Sequence, residues 1–452
     1  MTRKFKTADY KKTLDLQISL RDALPPDHLA RFIVDVVGEL DLSRLYQQYG
    51  PIGAPPYAPE IMLGLLFYGY ATGVFSSRKI EKATYENLPF RFIAGNMHPD
   101  HATIANFRKQ FLRELKDLFV DILLMAQSMG QLQLGNISLD GSKIHADASK
   151  SKAVSYKRLL ALEAFLQAEV AELFTLAEAA DGSGLPDGMN VDDEITRRTK
   201  HLAALAEAKK VLETRAQARY EAEQAEYEAK MAERKKKAAQ KGQKPKGPEP
   251  KAPTPGARAK DQYNFTDPES RIMKNATNQG FDQHYNVQVA VEHDSRLIVG
   301  DWVCDQPNDQ QAALPTIDTI PTELGAVKAV NLDTGYFSQS NVTGLEERQI
   351  DPYIATGRTP HQRSWRAYFD NQPAPLPAEA TLKEQMAYKL RTDIGQAMYR
   401  LRKSTVEPVI GIIKEVIGFR QFSLRGLLNV RGEWALVCLA YNLKRLHILQ
   451  TQ

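Results

Sequence analysis

The chain has 452 residues, 43% hydrophobic and 25% charged, the proportions of an ordinary globular protein. It is too long for one compact core, so two or three units are expected. The net charge of +4 is uneven, because residues 234–260 carry ten Lys or Arg against one acid, Glu249, and the remainder is net −5. That balance permits a nucleic-acid partner without demanding one. Cys304 and Cys438 stand singly beside apolar residues, with no CxxC pair and no histidine cluster nearby. This argues against a zinc site or disulfide framework and points to a reducing cytoplasm. No apolar core follows the basic MTRKFKTADYKK, and Ile61 to Tyr70 is too short to span a bilayer, so neither a signal peptide nor a membrane span is expected.

Residues 1–130 read as helical. Asp27 is placed to cap a helix through Leu29, Phe32, Ile33 and Val36. Pro59 opens EIMLGLLFYGYATG, apolar on nearly every side and expected at the centre of a small bundle. Ser76 or Ser77 caps the next helix. PDHATIANFRKQFLRELKDLFVDILLMAQ then carries an apolar stripe at Ile104, Phe107, Phe111, Leu115, Phe119 and Leu123. Short helices in series suit a helix-turn-helix DNA reader or a plain packing domain equally.

NISLD reads as a strand that meets Asp140 and then a glycine turn. Residues 154–240, rich in Ala, Glu, Lys and Leu and broken by DGSGLPDGMNVDD, predict a helical hairpin with a sparse seam at Ile195, Leu202, Leu205 and Leu212. Beyond Leu212 the helix is expected to be solvated. Residues 241–260, with five prolines, form a Pro/Lys-rich linker. HYNVQVAVE and RLIVGDWVC predict paired strands, Ala326 to Leu332 a strand ending at Asp333, and 350–355 another. Helix is expected over 382–417 and 433–449. The fold class is α+β: a helical N-terminal domain, then a mixed α/β domain from 131–153 and 261–452, interrupted by the hairpin.

Asp140 before Gly141 and Asp333 before Thr334–Gly335 share a strand-end setting, where open α/β sheets place their chemistry. Glu407, in YRLRKSTVEPVIGIIK, shares a helical face with Lys414 two turns on. Three carboxylates suit hard divalent ions, which two-metal phosphoryl transfer uses to stabilise attacking and leaving oxygens. An Asp before a Gly at a strand end is, however, more often turn chemistry.

Four stretches settle the preference. YAPEIMLGLLFYGYATGVFSSRKIEKATYENLPFRFIAG with PDHATIANFRKQF, ISLDGSKIHADASK, AVNLDTGYFSQSN, and YRLRKSTVEPVIGIIKEVIGFRQFSLRGLLNVRGEWALVCLAYNLKRL occur in order. Together they resemble the DDE transposases of bacterial insertion sequences, with a helical N-terminal domain and a ribonuclease-H-like catalytic domain. The resemblance implies a catalytic, metal-holding triad of Asp140, Asp333 and Glu407 with two Mg²⁺ ions, Mn²⁺ substituting. It also implies DNA-phosphate contacts from Tyr399, Arg402 and Lys414. The usual arginine-to-glutamate step falls on Lys403, so either Arg402 or Lys403 fills that place. Further implications are double-stranded DNA as partner (terminal inverted repeats and target), a homodimer in the synaptic complex, and a nucleoid-associated bacterial protein. Water is then the nucleophile of cleavage, and the freed 3′-hydroxyl that of strand transfer.

Other readings stay beside this one. A catalytically silent, transposase-derived DNA-binding regulator would keep the first domain's role, and a ribonuclease would share fold and metals. The hairpin is expected to be a dimer-forming or DNA-contacting arm. His145, Asp147, Tyr336, Phe337, Glu433 and Trp434 are read as structural, Glu415 as a weaker third acid than Glu407, and Arg234 to Lys237 as solvated. Asn275, Asn278 and Gln279 divide between a DNA contact and a loop.

Overall fold

The computed structural model of the chain describes residues 19–50, 55–112, 114–180, 190–241, 248–275, 280–357, 376–377 and 379–451. They gather into two compact units, Met1–Ile144 with Asn286–Gln452, and His145–Tyr285. No helix among the described residues is long and apolar enough to cross a membrane.

The first unit opens with α1 (Leu29–Glu39), α2 (Ser43–Tyr46), α3 (Pro59–Ala71), α4 (Ser77–Glu86), α5 (Leu88–Ile93), α6 (His101–Gln110) and α7 (Glu114–Ser128). The cap of α1 is His28 rather than Asp27: its Nδ1 accepts the Ala30 N–H at 3.0 Å. Asp27 lies one position too early for that bond. Pro59 is the first residue of α3, where its missing N–H leaves no bond unmade, and Met62, Leu63, Leu65, Leu66 and Phe67 are buried all round the helix. The long run read as one helix is two. Asp100 caps α6, accepting the Ala102 and Thr103 N–H groups, and the chain breaks before α7. The six stripe residues remain buried across the break.

Strand β1 (Asn136–His145) runs through Asp140 and Gly141 without turning, which corrects the expected glycine turn. Gly141 serves close approach: a Cβ there would stand 2.3 Å from Gln288 Nε2.

The second unit contains β2 (Ala153–Ser155), α8 (Tyr156–Ala180), α9 (Val191–Lys241), β3 (Gln262–Asn264) and β4 (Arg271–Lys274), which pairs antiparallel with the start of β5 (Phe281–Glu292). Leu159 and Leu166 of α8 pack with Leu205, Ala208 and Leu212 of α9, joined by Val154 and Tyr263 from the paired β2 and β3. Of the expected seam, Leu205 and Leu212 are buried and Ile195 and Leu202 half-buried. Ala216 is the last buried residue of α9 among those described. The hairpin turn at 181–189 and the linker residues 242–247 lie outside the described residues.

Back in the first unit follow β6 (Ile298–Cys304), α10 (Ala313–Ile317), β7 (Ala329–Leu332), α11 (Gln339–Glu347), β8 (Asp351–Ile354), α12 (Leu382–Lys389), α13 (Asp393–Ser404), α14 (Val406–Gly411), a π-helical turn (Ile412–Val416) and α15 (Leu427–Thr451). The single helix expected over 382–417 is therefore three helices and a π turn. Thr392 caps α13, and Pro408 explains the break at Thr405. A proline four residues after Ser404 has no N–H for that carbonyl, and its ring would collide with it.

In the sheet, β7 pairs in parallel with both β1 and β8, while β5 lies on the other side of β1 and pairs antiparallel with β6. Helix α15 packs against α3, α7 and β6. Its Glu433, fully buried, accepts hydrogen bonds from the Tyr70 hydroxyl at 3.0 Å and from the Ser423 and Leu424 N–H groups. Arg108 donates to the same Tyr70 oxygen at 2.9 Å. Polar groups are tolerable in the core when they are paired, and these three bond to one another, although the Arg108 Nε has no partner among the described residues.

Candidate active site

Leu139 of β1 pairs with Leu332 of β7, so the next residues, Asp140 and Asp333, stand side by side. Neighbouring strands lie about 4.8 Å apart, which fixes how near the two backbones are. Both positions fall where β7 ends and the sheet opens. Asp140 Oδ1 accepts the Gly141 N–H at 2.8 Å, and Asp333 Oδ1 accepts that of Thr334 at 2.5 Å. Asp333 thus also caps a short 3-10 turn (Thr334–Tyr336).

Glu407 is brought in by Arg402. The guanidinium donates from Nη1 to Asp140 Oδ2 at 2.7 Å and from Nη2 to Glu407 Oε1 at 2.9 Å. Only 12% of the Arg402 side chain is exposed, against 22% for Asp140 and 44% for Glu407. Lys403, the alternative to Arg402, faces solvent on α13. Lys414 sits on the π turn, where the Ile417 N–H reaches back to the Ile412 carbonyl. Its Nζ donates to Ser142 Oγ, two residues beyond Asp140, at 3.0 Å. Such turns recur at functional sites because they re-aim one side chain without ending the helix.

The electrostatics follow from this crowding. Burial pushes the Asp140 carboxyl up to about 6; Asp333 and Asp309 add to the rise, while Arg402 and the Gly141 N–H oppose it. Tyr399 is raised, first by burial and then by Asp333 and Asp140. Burial would lower Arg402, but Asp140, Tyr399, Asp333 and Glu407 outweigh it and hold the guanidinium's pKa up. Lys414 is lowered by burial and by Arg420.

Asp309 was not among the sequence candidates. Its Oδ1 accepts from Asn286 Nδ2 at 2.8 Å and from Gln288 Nε2 at 2.9 Å, both donors belonging to buried residues of β5. Gln288 Oε1 in turn accepts from the Tyr336 hydroxyl. The sequence did hold a signal. Asn286 and Gln288 alternate with valines in HYNVQVAVE, and polar residues with period two in an apolar strand mark a buried polar face.

The donor set is carboxylate oxygen throughout, the kind that hard divalent ions prefer. Among the described residues, no three His, Cys, Asp or Glu side chains converge closely enough to hold an ion. The Arg402 guanidinium lies between Asp140 and Glu407 instead, a cation already bonded to both. The residues fit a divalent ion in kind, with Arg402 in a cation's place.

The other candidates fall outside this cluster. Exposed Glu415 pairs with Arg420. Glu433, Trp434 and Tyr336 are buried, as the structural reading expects, and Phe337 is half-buried. The His145 ring lies 4.3 Å from that of His284 in the second unit, to which Asp147 also belongs. Asn275 donates to Asp282 at 2.9 Å, which favours its loop reading; Asn278 and Gln279 lie outside the described residues. Arg234 donates to the Pro248 carbonyl at 3.0 Å. Lys235 and Lys236 are exposed, and the Lys237 side chain lies outside the described residues.

Two protein-family models match the chain. One, described as a transposase domain (DUF772), matches residues 18–110, and the other, a transposase DDE domain, matches residues 374–447. The second match takes in Tyr399, Arg402, Glu407 and Lys414, while Asp140 and Asp333 lie outside both. No curated protein and no solved structure matches. The chain thus carries a match to a transposase model at each end, in the order of the sequence blocks, which is consistent with a DDE transposase of the insertion-sequence kind.

Proposed function

We propose that the chain is a DDE transposase that binds the terminal inverted repeats of its element, cleaves DNA there and joins the 3′-hydroxyl to target DNA, with Asp140, Asp333 and Glu407 as its catalytic carboxylates. One observation carries the reading. Acids 193 and 74 residues apart in the chain share one place, through the β1–β7 register and the Arg402 bridge. A mixed sheet whose parallel pair presents the first two acids supports a ribonuclease-H-like catalytic unit.

Asp140, Asp333 and Glu407 would hold two Mg²⁺ ions, or Mn²⁺ in their stead, whose chemistry is stabilisation of the charge that builds on phosphate oxygens. The protein's own part is positioning. Asp140 and Asp333 are each fixed by a backbone N–H. Arg402 and Lys414 present cationic donors to a phosphodiester, with Tyr399 beside them and Lys403 at the solvent edge. The helical region of residues 1–130 supplies the repeat-binding surface. Two ends must be held together, so a homodimer is the working assembly.

The test is strand cleavage of terminal-repeat DNA in Mg²⁺ or Mn²⁺ by wild type, Asp140→Asn and Glu407→Gln. Both substitutions should abolish cleavage while leaving DNA binding. Cleavage that survives both overturns the assigned site. Wild-type binding without cleavage identifies the silent regulator instead, and preference for an RNA strand identifies a ribonuclease.

A further inference from the structure

The layer directly beneath the two aspartates is polar and buried. Ser138 of β1 and Asn331 of β7 are register partners, two residues before Asp140 and Asp333, so the pleat puts them on the same face of the sheet as the acids. Both are fully buried. A third polar group joins them from just past the end of β5, where the His293 N–H donates to the Asn136 carbonyl. The ring's Nε2 lies 3.0 Å from Ser138 Oγ and 3.2 Å from Asn331 Nδ2. The same Asn331 nitrogen donates to the Met398 carbonyl of α13 at 2.8 Å. Met398 stands one residue before Tyr399 and about one helical turn before Arg402, which reaches Asp140.

Buried parallel strands are ordinarily filled with apolar side chains, and a pair of valines would hold these two together with no polar group to satisfy. What the polar trio adds is direction. A carbonyl only accepts, so Met398 fixes the nitrogen of the Asn331 amide towards α13. The second N–H of that nitrogen faces His293 Nε2, which must accept it, so the ring is neutral with its proton on Nδ1. Burial lowers the His293 pKa and favours the same neutral form. Turned the other way, the amide would set its oxygen against the Met398 carbonyl. It keeps this orientation although that oxygen has no partner among the described residues, so the bond to α13 outweighs the loss. Each member thus holds the next in one orientation, and the chain of bonds ends on the backbone that carries Tyr399 and Arg402.

We propose that Ser138, His293 and Asn331 are positioning residues, which together set α13 over the acid pair so that Arg402 meets Asp140. This rests on the catalytic role proposed above for those carboxylates, and gives the strand layer below them a part that the acid pattern does not contain.

Amide hydrogen exchange along α13 and single-turnover cleavage of terminal-repeat DNA, both on the full-length protein, test it. Asn331→Leu keeps the volume and removes the bond to Met398. Exchange in α13 should rise about tenfold or more while α15 keeps its wild-type protection. Cleavage at saturating DNA should fall about tenfold or more, with DNA affinity unchanged. His293→Leu should do the same, whereas His293→Gln, whose amide oxygen reaches the place of Nε2, should keep most of the wild-type rate. If Asn331→Leu does not fold, the two His293 variants decide. Wild-type exchange in α13 or undiminished cleavage in a folded Asn331→Leu overturns the proposal and leaves the role of the acids standing. A His293→Gln that cleaves as poorly as His293→Leu overturns it too. A wild type that cleaves nothing, or an Asp140→Asn that cleaves as well as wild type, overturns the catalytic reading and this proposal with it.

Discussion

Asp140 is held between opposing demands. Burial and two neighbouring carboxylates resist its charge, and one guanidinium and one backbone N–H favour it. Gly141 is what lets the opposing groups come so close, because the Gln288 amide lies where any side chain would begin. Gln288 has little room to retreat, being bonded to Asp309, Asn286 and Tyr336. Gly141→Ala should therefore destabilise the protein by about 1–3 kcal/mol, as overpacking in a rigid core does. It should also slow cleavage out of proportion to that loss. Chemical denaturation beside cleavage rates checks this, and a variant equal to wild type in both would show that Gln288 moves freely. Asp140 and Asp333 were legible in the sequence because each ends an apolar run. The role of Gly141 was not, since glycine after aspartate looks alike in a turn and in a close approach. Asp309 was hidden for a related reason: DQPNDQQ reads as loop chemistry until the strand beside it is known.

At the scale of elements, the break between α13 and α14 decides whether Arg402 can bridge. On an unbroken helix, residues 402 and 407 would point about 140° apart, at about 100° per residue. The Pro408 ring prevents that continuation, and Thr405 takes φ −111° and ψ −82° instead, so both side chains turn to Asp140's side. Pro408→Ala should let the helices merge and pull the Arg402–Glu407 contact apart. Cleavage should fall about tenfold or more, as small misplacements at a reacting centre do, with the melting temperature held or raised. Undiminished cleavage would separate the bridge from catalysis. Helix here was legible from periodicity, and the proline was in plain view, yet its consequence for Glu407 depended on where β1 lay.

For the whole molecule, Asp140 and Asp333 stand side by side because the sheet brings distant segments together. β1 and β7 lie side by side although an entire second unit intervenes in the chain between them. Helix α15 ties the last segment to the first through α3 and α7, with Glu433, Tyr70 and Arg108 sharing one buried network. That long-range pairing was beyond sequence periodicity, which reports what each segment is and not what it touches. The central claim is that Asp140, Asp333 and Glu407 serve one metal centre. Fe²⁺ taken up in place of Mg²⁺, then treated with ascorbate and peroxide, cuts the backbone beside its ligands. The account predicts cuts near residues 140, 333 and 407 that excess Mg²⁺ suppresses and Asp140→Asn abolishes. Cuts elsewhere, or cuts indifferent to that substitution, would contradict it.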